Sequence, residues 1–98
     1  MATDVDDDFY NRADAVIYLA NKQVEKISRG KVSASCMYAT ARFNAWVAAC
    51  GCSSSSEMRA EREETVEYFT KQYRAMLEEN LDDYINKFAE YMQPEGPN

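Results

Sequence analysis

The stretch KVSASCMYATARFNAWVAACG, residues 31–51, decides the fold class. Small or apolar side chains occur on every side of a helix drawn through it, and Arg42 is the single charged residue between Ser33 and Cys50. A surface helix has one apolar stripe, whereas a helix that is apolar all round is usually buried. We therefore predict a central helix around which the rest of the chain packs. Ser33 is a suitable N-cap for it, and Gly51 can end it after Cys50.

A second amphipathic segment precedes this helix. Apolar residues recur at steps of three and four from Phe9 to Ile27, and three aspartates at 6–8 place negative charge near the start. Gly30 can adopt the left-handed conformation that ends many helices. The pattern predicts a first helix over about residues 7–29, closed at Gly30.

A third helical segment follows residue 51. Ser54 and Glu57 have the spacing of a capping box, and no Gly or Pro occurs from there to Met92. A stripe of mostly apolar residues has helical spacing: Val66, Phe69, Tyr73, Leu77, Asn80, Tyr84, Phe88 and Tyr91. We expect one helix over 57–92, with Asn80 as the weak point. The predicted fold is all-α, an antiparallel helical bundle of three long helices, or four if the last breaks near Asn80.

The composition indicates a single acidic domain over residues 1–98, with disordered tails at about 1–5 and 93–98. The net charge of −6 argues against nucleic acid as a partner. No apolar run is long enough for a membrane span, and no secretory signal is recognisable at the start. An odd number of cysteines, Cys36, Cys50 and Cys52, suits a reduced compartment. We expect a cytoplasmic protein without a membrane partner.

Three segments together resemble a known family: FYNRADAVIYLAN at 9–21, RGKVSASCMYATARFNAW at 29–46 and YRAMLEENLDDYI at 73–85. They are similar to a small family from Gram-negative bacteria catalogued as domain of unknown function 3144. The chain departs from that family mainly at residues 50–56, which are rich in Cys and Ser. The resemblance implies one compact bacterial domain, and it brings no activity, cofactor or catalytic residue.

No catalytic set or metal site stands out. The chain has no histidine, and its cysteines do not have the spacing of a zinc site. Glu78, Glu79, Asp82 and Asp83 are acids at helical spacing, which is more typical of a solvated helix face than of a metal site. We predict no catalytic residue, no metal and no cofactor, and an enzyme is the least favoured class.

Two local features are compatible with ligand binding. The first is Arg29, Lys31 and Ser33 around Gly30, because a helix N-terminus with nearby cations can hold an anion. An ordinary interhelix turn explains the same residues. The second is Arg42, which we expect to be at least half buried and paired with an acid, since an unpaired buried charge is costly. A ligand-binding pocket that Arg42 shares with Trp46 and Tyr38 is the alternative.

Self-association is the function class that the pattern favours. The end of the third helix has an apolar face that a small domain cannot cover by itself: Leu81, Tyr84, Ile85, Phe88, Tyr91 and Met92. We therefore expect a small homo-oligomeric interaction or assembly module, with a two-fold contact through this face. The alternative is a binder of a small anionic ligand at the turn between helices one and two.

Overall fold

The computed structural model describes residues 5–93, and within that range all regular structure is helical. Five helices follow in order: α1 (Phe9–Val24), α2 (Arg29–Cys50), α3 (Ser55–Ala60), α4 (Arg62–Asn86) and α5 (Phe88–Tyr91). The all-α prediction is confirmed, while the antiparallel arrangement of three long helices stays a prediction. Apart from Val5 and Gln93, the predicted tails lie outside the described residues.

The chain divides into two compact units, Met1–Val47 and Ala48–Asn98. The first contains α1 and most of α2, and the second contains the end of α2 with α3, α4 and α5. Within the second unit, α4 contacts both α3 and α5. The single-domain prediction is not tested by this division.

The junction between α1 and α2 lies earlier than predicted. Helix α2 begins at Arg29, because Ser28 acts as its cap: the Ser28 hydroxyl oxygen accepts the Lys31 backbone N–H at 3.4 Å, and the Ser28 carbonyl accepts the Val32 N–H at 3.2 Å. Gly30 is therefore in the first turn of α2, and the predictions that it closes α1 and that Ser33 caps α2 are wrong. The connecting turn falls at residues 25–28.

Helix α2 ends at Cys50 as predicted, but it is not buried. Val32 is its one buried residue, with 4% of its surface exposed, and Phe43 and Trp46 are both exposed. One neighbouring helix can cover one stripe, whereas apolar groups on all sides need several neighbours. The first unit offers only α1 as a neighbour for α2. The expectation of a buried central helix is therefore wrong for the isolated chain.

The predicted start of the third helical segment is confirmed at Ser54. Its hydroxyl oxygen accepts the Glu57 backbone N–H at 3.1 Å, and its backbone is extended, as expected for an N-cap. The Glu57 carboxylate reaches back one residue further than in a standard capping box and accepts the Ser53 N–H at 2.8 Å. Two backbone donors at the helix start are thereby satisfied.

Single non-helical residues, Glu61 and Lys87, separate α3, α4 and α5. Each of these residues still begins the next helix: the Thr65 N–H donates to the Glu61 carbonyl at 2.9 Å, and the Tyr91 N–H donates to the Lys87 carbonyl at 2.9 Å. The segment predicted as one helix over 57–92 is thus three consecutive helices, interrupted at one residue each time.

No break occurs near Asn80, so the helix continues there as expected and the alternative of a fourth helix beginning near Asn80 is wrong. Helix α4 passes through this residue, and the Asn80 side-chain nitrogen donates to the Met76 carbonyl oxygen at 2.8 Å. The amide is therefore used on its own helix instead of capping a new one.

Candidate functional site

The strongest candidate surface is an apolar face at the end of the second unit. We call Leu81, Tyr84, Ile85, Phe88, Tyr91 and Met92 the C-terminal face. Leu81, Tyr84 and Ile85 fall within an arc of about 100° on α4, and the other three follow on α5 and at its end. All six are exposed, with 42–69% of their surface accessible. About half of the surface of this predicted interface is therefore open to solvent.

A polar contact holds the C-terminal face across the α4–α5 junction. The Tyr91 hydroxyl donates to an Asp83 carboxylate oxygen at 2.9 Å, and the Lys87 ammonium lies 3.7 Å from the other oxygen. The Tyr84 and Tyr91 rings are 4.8 Å apart between centroids. The hydrogen bond to Asp83 raises the pKa of Tyr91, with partial burial and the negative charge of Asp83 as further causes. The two tyrosines are thus placed before any partner binds.

The apolar surface continues toward the start of α4. We call the eight residues at 66, 69, 73, 77, 80, 84, 88 and 91 the α4 stripe: the six that lie on α4 fall within an arc of about 80°, and the last two follow on α5. Val66, Tyr73 and Leu77 are exposed, and Phe69 is half-buried. Asn80 is the one residue of the stripe whose side chain is neither aromatic nor aliphatic. The α4 stripe and the C-terminal face share Tyr84, Phe88 and Tyr91.

A shallow, open depression lies on the other side of α4, about 140° round the helix from the stripe. Its lining belongs entirely to α4: Tyr68, Lys71, Gln72, Ala75, Met76 and Glu79. It forms because the short Ala75 side chain lies among longer ones. A depression made by one helix does not enclose a ligand, so it gives no support to catalysis.

The residues predicted for anion binding do not form one site. Arg29 and Lys31 lie in the first turn of α2, whereas Arg42 and Trp46 lie in its second half. At 1.5 Å per residue, Arg29 and Arg42 are roughly 20 Å apart along the helix. Ser33 lies beyond the first turn, and Ser28 makes the cap instead. The glycine-turn anion site stays a prediction that Arg29 and Lys31 carry without Ser33.

The prediction that Arg42 is at least half buried and paired with an acid is wrong. The residue is exposed, and none of the four ion pairs within residues 5–93 includes it. The prediction assumed that α2 is buried within its own chain, and this burial is absent. A solvated guanidinium needs no partner, because water already stabilises its charge.

Two of the three free cysteines lie close together, Cys50 at the end of α2 and Cys52 in the turn after it. Cys50 is exposed, while Cys52 is half-buried with its sulfur 3.8 Å from a Glu61 carboxylate oxygen. Partial burial, and after it the negative charges of Glu61 and Glu57, raise the pKa of the Cys52 thiol. Cys36 and Cys50 lie roughly 21 Å apart along α2, beyond disulfide reach. Sequence reasoning missed the contact with Glu61, although Glu61 lies one helical turn beyond the predicted capping residue Glu57.

The described residues contain neither a metal-binding cluster nor a membrane-spanning helix. Residues 5–93 contain no cluster of three or more His, Cys, Asp or Glu side chains arranged to hold a metal ion. In the same range, no helix is both long and apolar enough to cross a bilayer.

Comparisons with known proteins agree with the resemblance seen in the sequence. Residues 9–85 match the family described as protein of unknown function (DUF3144). The NMR structure of the protein NB7890A from Shewanella sp is similar to this chain, with 39% sequence identity and a TM-score of 0.74. The match covers 90% of this chain and 94% of the Shewanella protein. No curated protein matches the chain.

Proposed function

Because the chain belongs to the DUF3144 family of proteins of unknown function, we propose its role from its own residues: it is a small homo-oligomeric interaction module of the bacterial cytosol. The observation that carries the proposal is the exposure of the whole C-terminal face. Six large apolar side chains lie side by side there with about half of their surface in contact with water. Single exposed apolar residues are ordinary, but a contiguous group of this size usually marks a contact surface.

The burial pattern supports the same proposal. Among residues 5–93, Val32 is the one buried hydrophobic residue, while large apolar side chains are exposed on both long helices. Burial of apolar surface is the main force that stabilises folded chains, at about 25 cal/mol per Å². A second copy can supply this burial. The three free cysteines are compatible with a reducing compartment.

Sedimentation equilibrium at micromolar concentration tests the proposal. We expect a mass above the 11.2 kDa of one chain. Phe88→Asp places a charge within the C-terminal face, and we expect it to weaken association by about tenfold or more, as for a residue at the centre of an interface. Tyr38→Asp is the matched control, because Tyr38 is an aromatic residue of similar exposure on α2.

The masses of the original chain and of the two variants distinguish association from its absence, and the C-terminal face from other surfaces. A mass of 11.2 kDa at every concentration would overturn the proposal. Association that is lost in Tyr38→Asp and kept in Phe88→Asp would overturn the assignment of the C-terminal face. Loss in Phe88→Asp alone supports both the module and its surface.

A further inference from the structure

We propose that two copies pair antiparallel along the whole α4 stripe. The C-terminal half of the stripe in each copy then contacts the N-terminal half of the stripe in the other copy. The inference rests on the proposed function and deepens it, because it names the surface that each half of the stripe binds. The two-fold axis would pass between residues 78 and 79.

The first argument is the spacing of the stripe. Its steps are 3, 4, 4, 3, 4, 4 and 3, an order that is the same from either end. In an antiparallel pair of identical helices, a residue faces the position at the same distance on the other side of the axis. A symmetric spacing therefore lets every residue of the stripe meet another member of the stripe, which an isologous contact requires.

The second argument is that the residue types are symmetric as well. Phe69 is related to Phe88, and Tyr73 is related to Tyr84. The outer pair is Val66 with Tyr91, and the inner pair is Leu77 with Asn80. Helical periodicity alone would produce the spacing but not the match of Phe with Phe and Tyr with Tyr. Aromatic pairs contribute about 0.5–1.5 kcal/mol beyond their buried area, and each pair would occur twice in the dimer.

The available area also fits a second copy. Five of the eight stripe residues are aromatic, and an aromatic side chain can bury 150–250 Å². Since these residues are about half exposed, they offer roughly 500 Å² per copy. Val66, Leu77 and the neighbouring Leu81 bring the total toward the ~800 Å² per partner of a standard interface.

The charges of α4 do not oppose the pairing. Glu78 and Glu79 are level with the proposed axis, where two copies would come closest. Both point about 130° away from the centre of the stripe, so the four carboxylates of a dimer would remain in water. No like-charged pair is brought together at the centre.

Spin labels at two positions test the register in the full-length chain. Cys36, Cys50 and Cys52 are first replaced by Ser, and helicity and mass are checked. Lys71→Cys and Asn86→Cys are then labelled separately; both residues are exposed and lie outside the stripe. Since the axis relates position 71 to position 86, we expect the same axial separation of roughly 22 Å between the two labels of either dimer.

Other arrangements give different distances. Pairing through the C-terminal faces alone would place the labels at position 71 roughly 45 Å apart along the axis and those at position 86 almost level. In a parallel pair, the two labels at position 71 would lie at the same height along the helix axis, and so would the two labels at position 86. Either result would overturn the register and leave the proposed function standing, whereas a monomer by sedimentation would overturn both.

Cross-linking provides a second measurement. In the same cysteine-free chain, Phe69→Cys/Phe88→Cys should give about tenfold more dimer with a short bismaleimide than either single variant, because facing thiols have a high effective concentration. The two positions are roughly 28 Å apart within one chain, so a link inside the chain is excluded. A dimer of unchanged mass in which Phe88→Cys alone links as well as the double variant would contradict the register.

Discussion

At the scale of single residues, the cysteine that ends α2 and the cysteine in the turn after it should differ in reactivity. We expect Cys50 to react with iodoacetamide faster than Cys52 at pH 8. The pKa of Cys52 is raised by partial burial and by the carboxylates of Glu61 and Glu57, so less of this thiol is ionised, and the thiolate is the reactive form. Mass spectrometry of timed digests measures both rates.

Glu61→Gln provides the matched test of the cause. It removes one of the negative charges beside Cys52 and should speed the reaction of Cys52 while leaving Cys50 unchanged. Equal acceleration of both thiols would indicate a general loosening of the turn instead.

Replacing Arg42 should change the stability of the chain very little. Because it is exposed and makes no ion pair within the described residues, we expect Arg42→Met to change the free energy of unfolding by about 0.5 kcal/mol or less. Urea denaturation at fixed protein concentration measures this change. A decrease of about 3 kcal/mol or more in the free energy of unfolding would instead support the buried ion pair that the sequence suggested.

At the scale of helices, Ser54 is the residue whose local role is most clearly defined. Ser54→Ala removes the acceptor for the Glu57 N–H and should destabilise the chain by about 1 kcal/mol. Ser53→Ala is the control, since Ser53 contributes its backbone N–H, which alanine retains. Similar losses in both variants, followed by urea unfolding, would argue against the cap.

The Tyr91 contact across the α4–α5 junction should depend on pH. Because its pKa is raised in the folded state, the contact stabilises the chain fully below the unfolded pKa of about 10 and is lost as pH rises through the folded value. Tyr91→Phe should therefore be less stable than the original chain at pH 7 and should lose this disadvantage at high pH. A stability difference that does not change between pH 7 and high pH would contradict the assignment.

These helices also show where sequence reasoning succeeds and where it fails. The cap at Ser54 and the end at Cys50 were predictable, since each depends on residues adjacent in the chain. Gly30 was misplaced because Ser28 and Ser33 are both suitable caps, and only the backbone geometry selects between them. Asn80 is the weak point of the predicted helix, but the helix continues through it and its amide bonds to Met76 on the same helix. The exposure of α2 could not be predicted, because residue pattern indicates what should be buried and not which chain buries it.

At the scale of the whole molecule, association should appear as a concentration-dependent melting temperature. Folded chains that dimerise are stabilised by mass action, and a tenfold rise in concentration adds about 1.4 kcal/mol per dimer. For a dimer of this size, Tm should rise by about 3–5 °C per tenfold concentration. Calorimetry at several concentrations measures the slope, and Phe88→Asp should flatten it. A concentration-independent Tm in the original chain would contradict association.

The amide of Asn80 has a consequence for kinetics. In the proposed pairing it faces Leu77 of the second copy, and an unmatched polar group at the centre of an apolar contact shortens the lifetime of the complex more than it slows its formation. Chains would then exchange partners readily, and the population of dimers would follow the rate of synthesis and dilution. Asn80→Leu should lengthen the residence time, measured by mixing labelled and unlabelled protein. Asn80, which interrupts the apolar surface of the stripe, would thus make the assembly reversible.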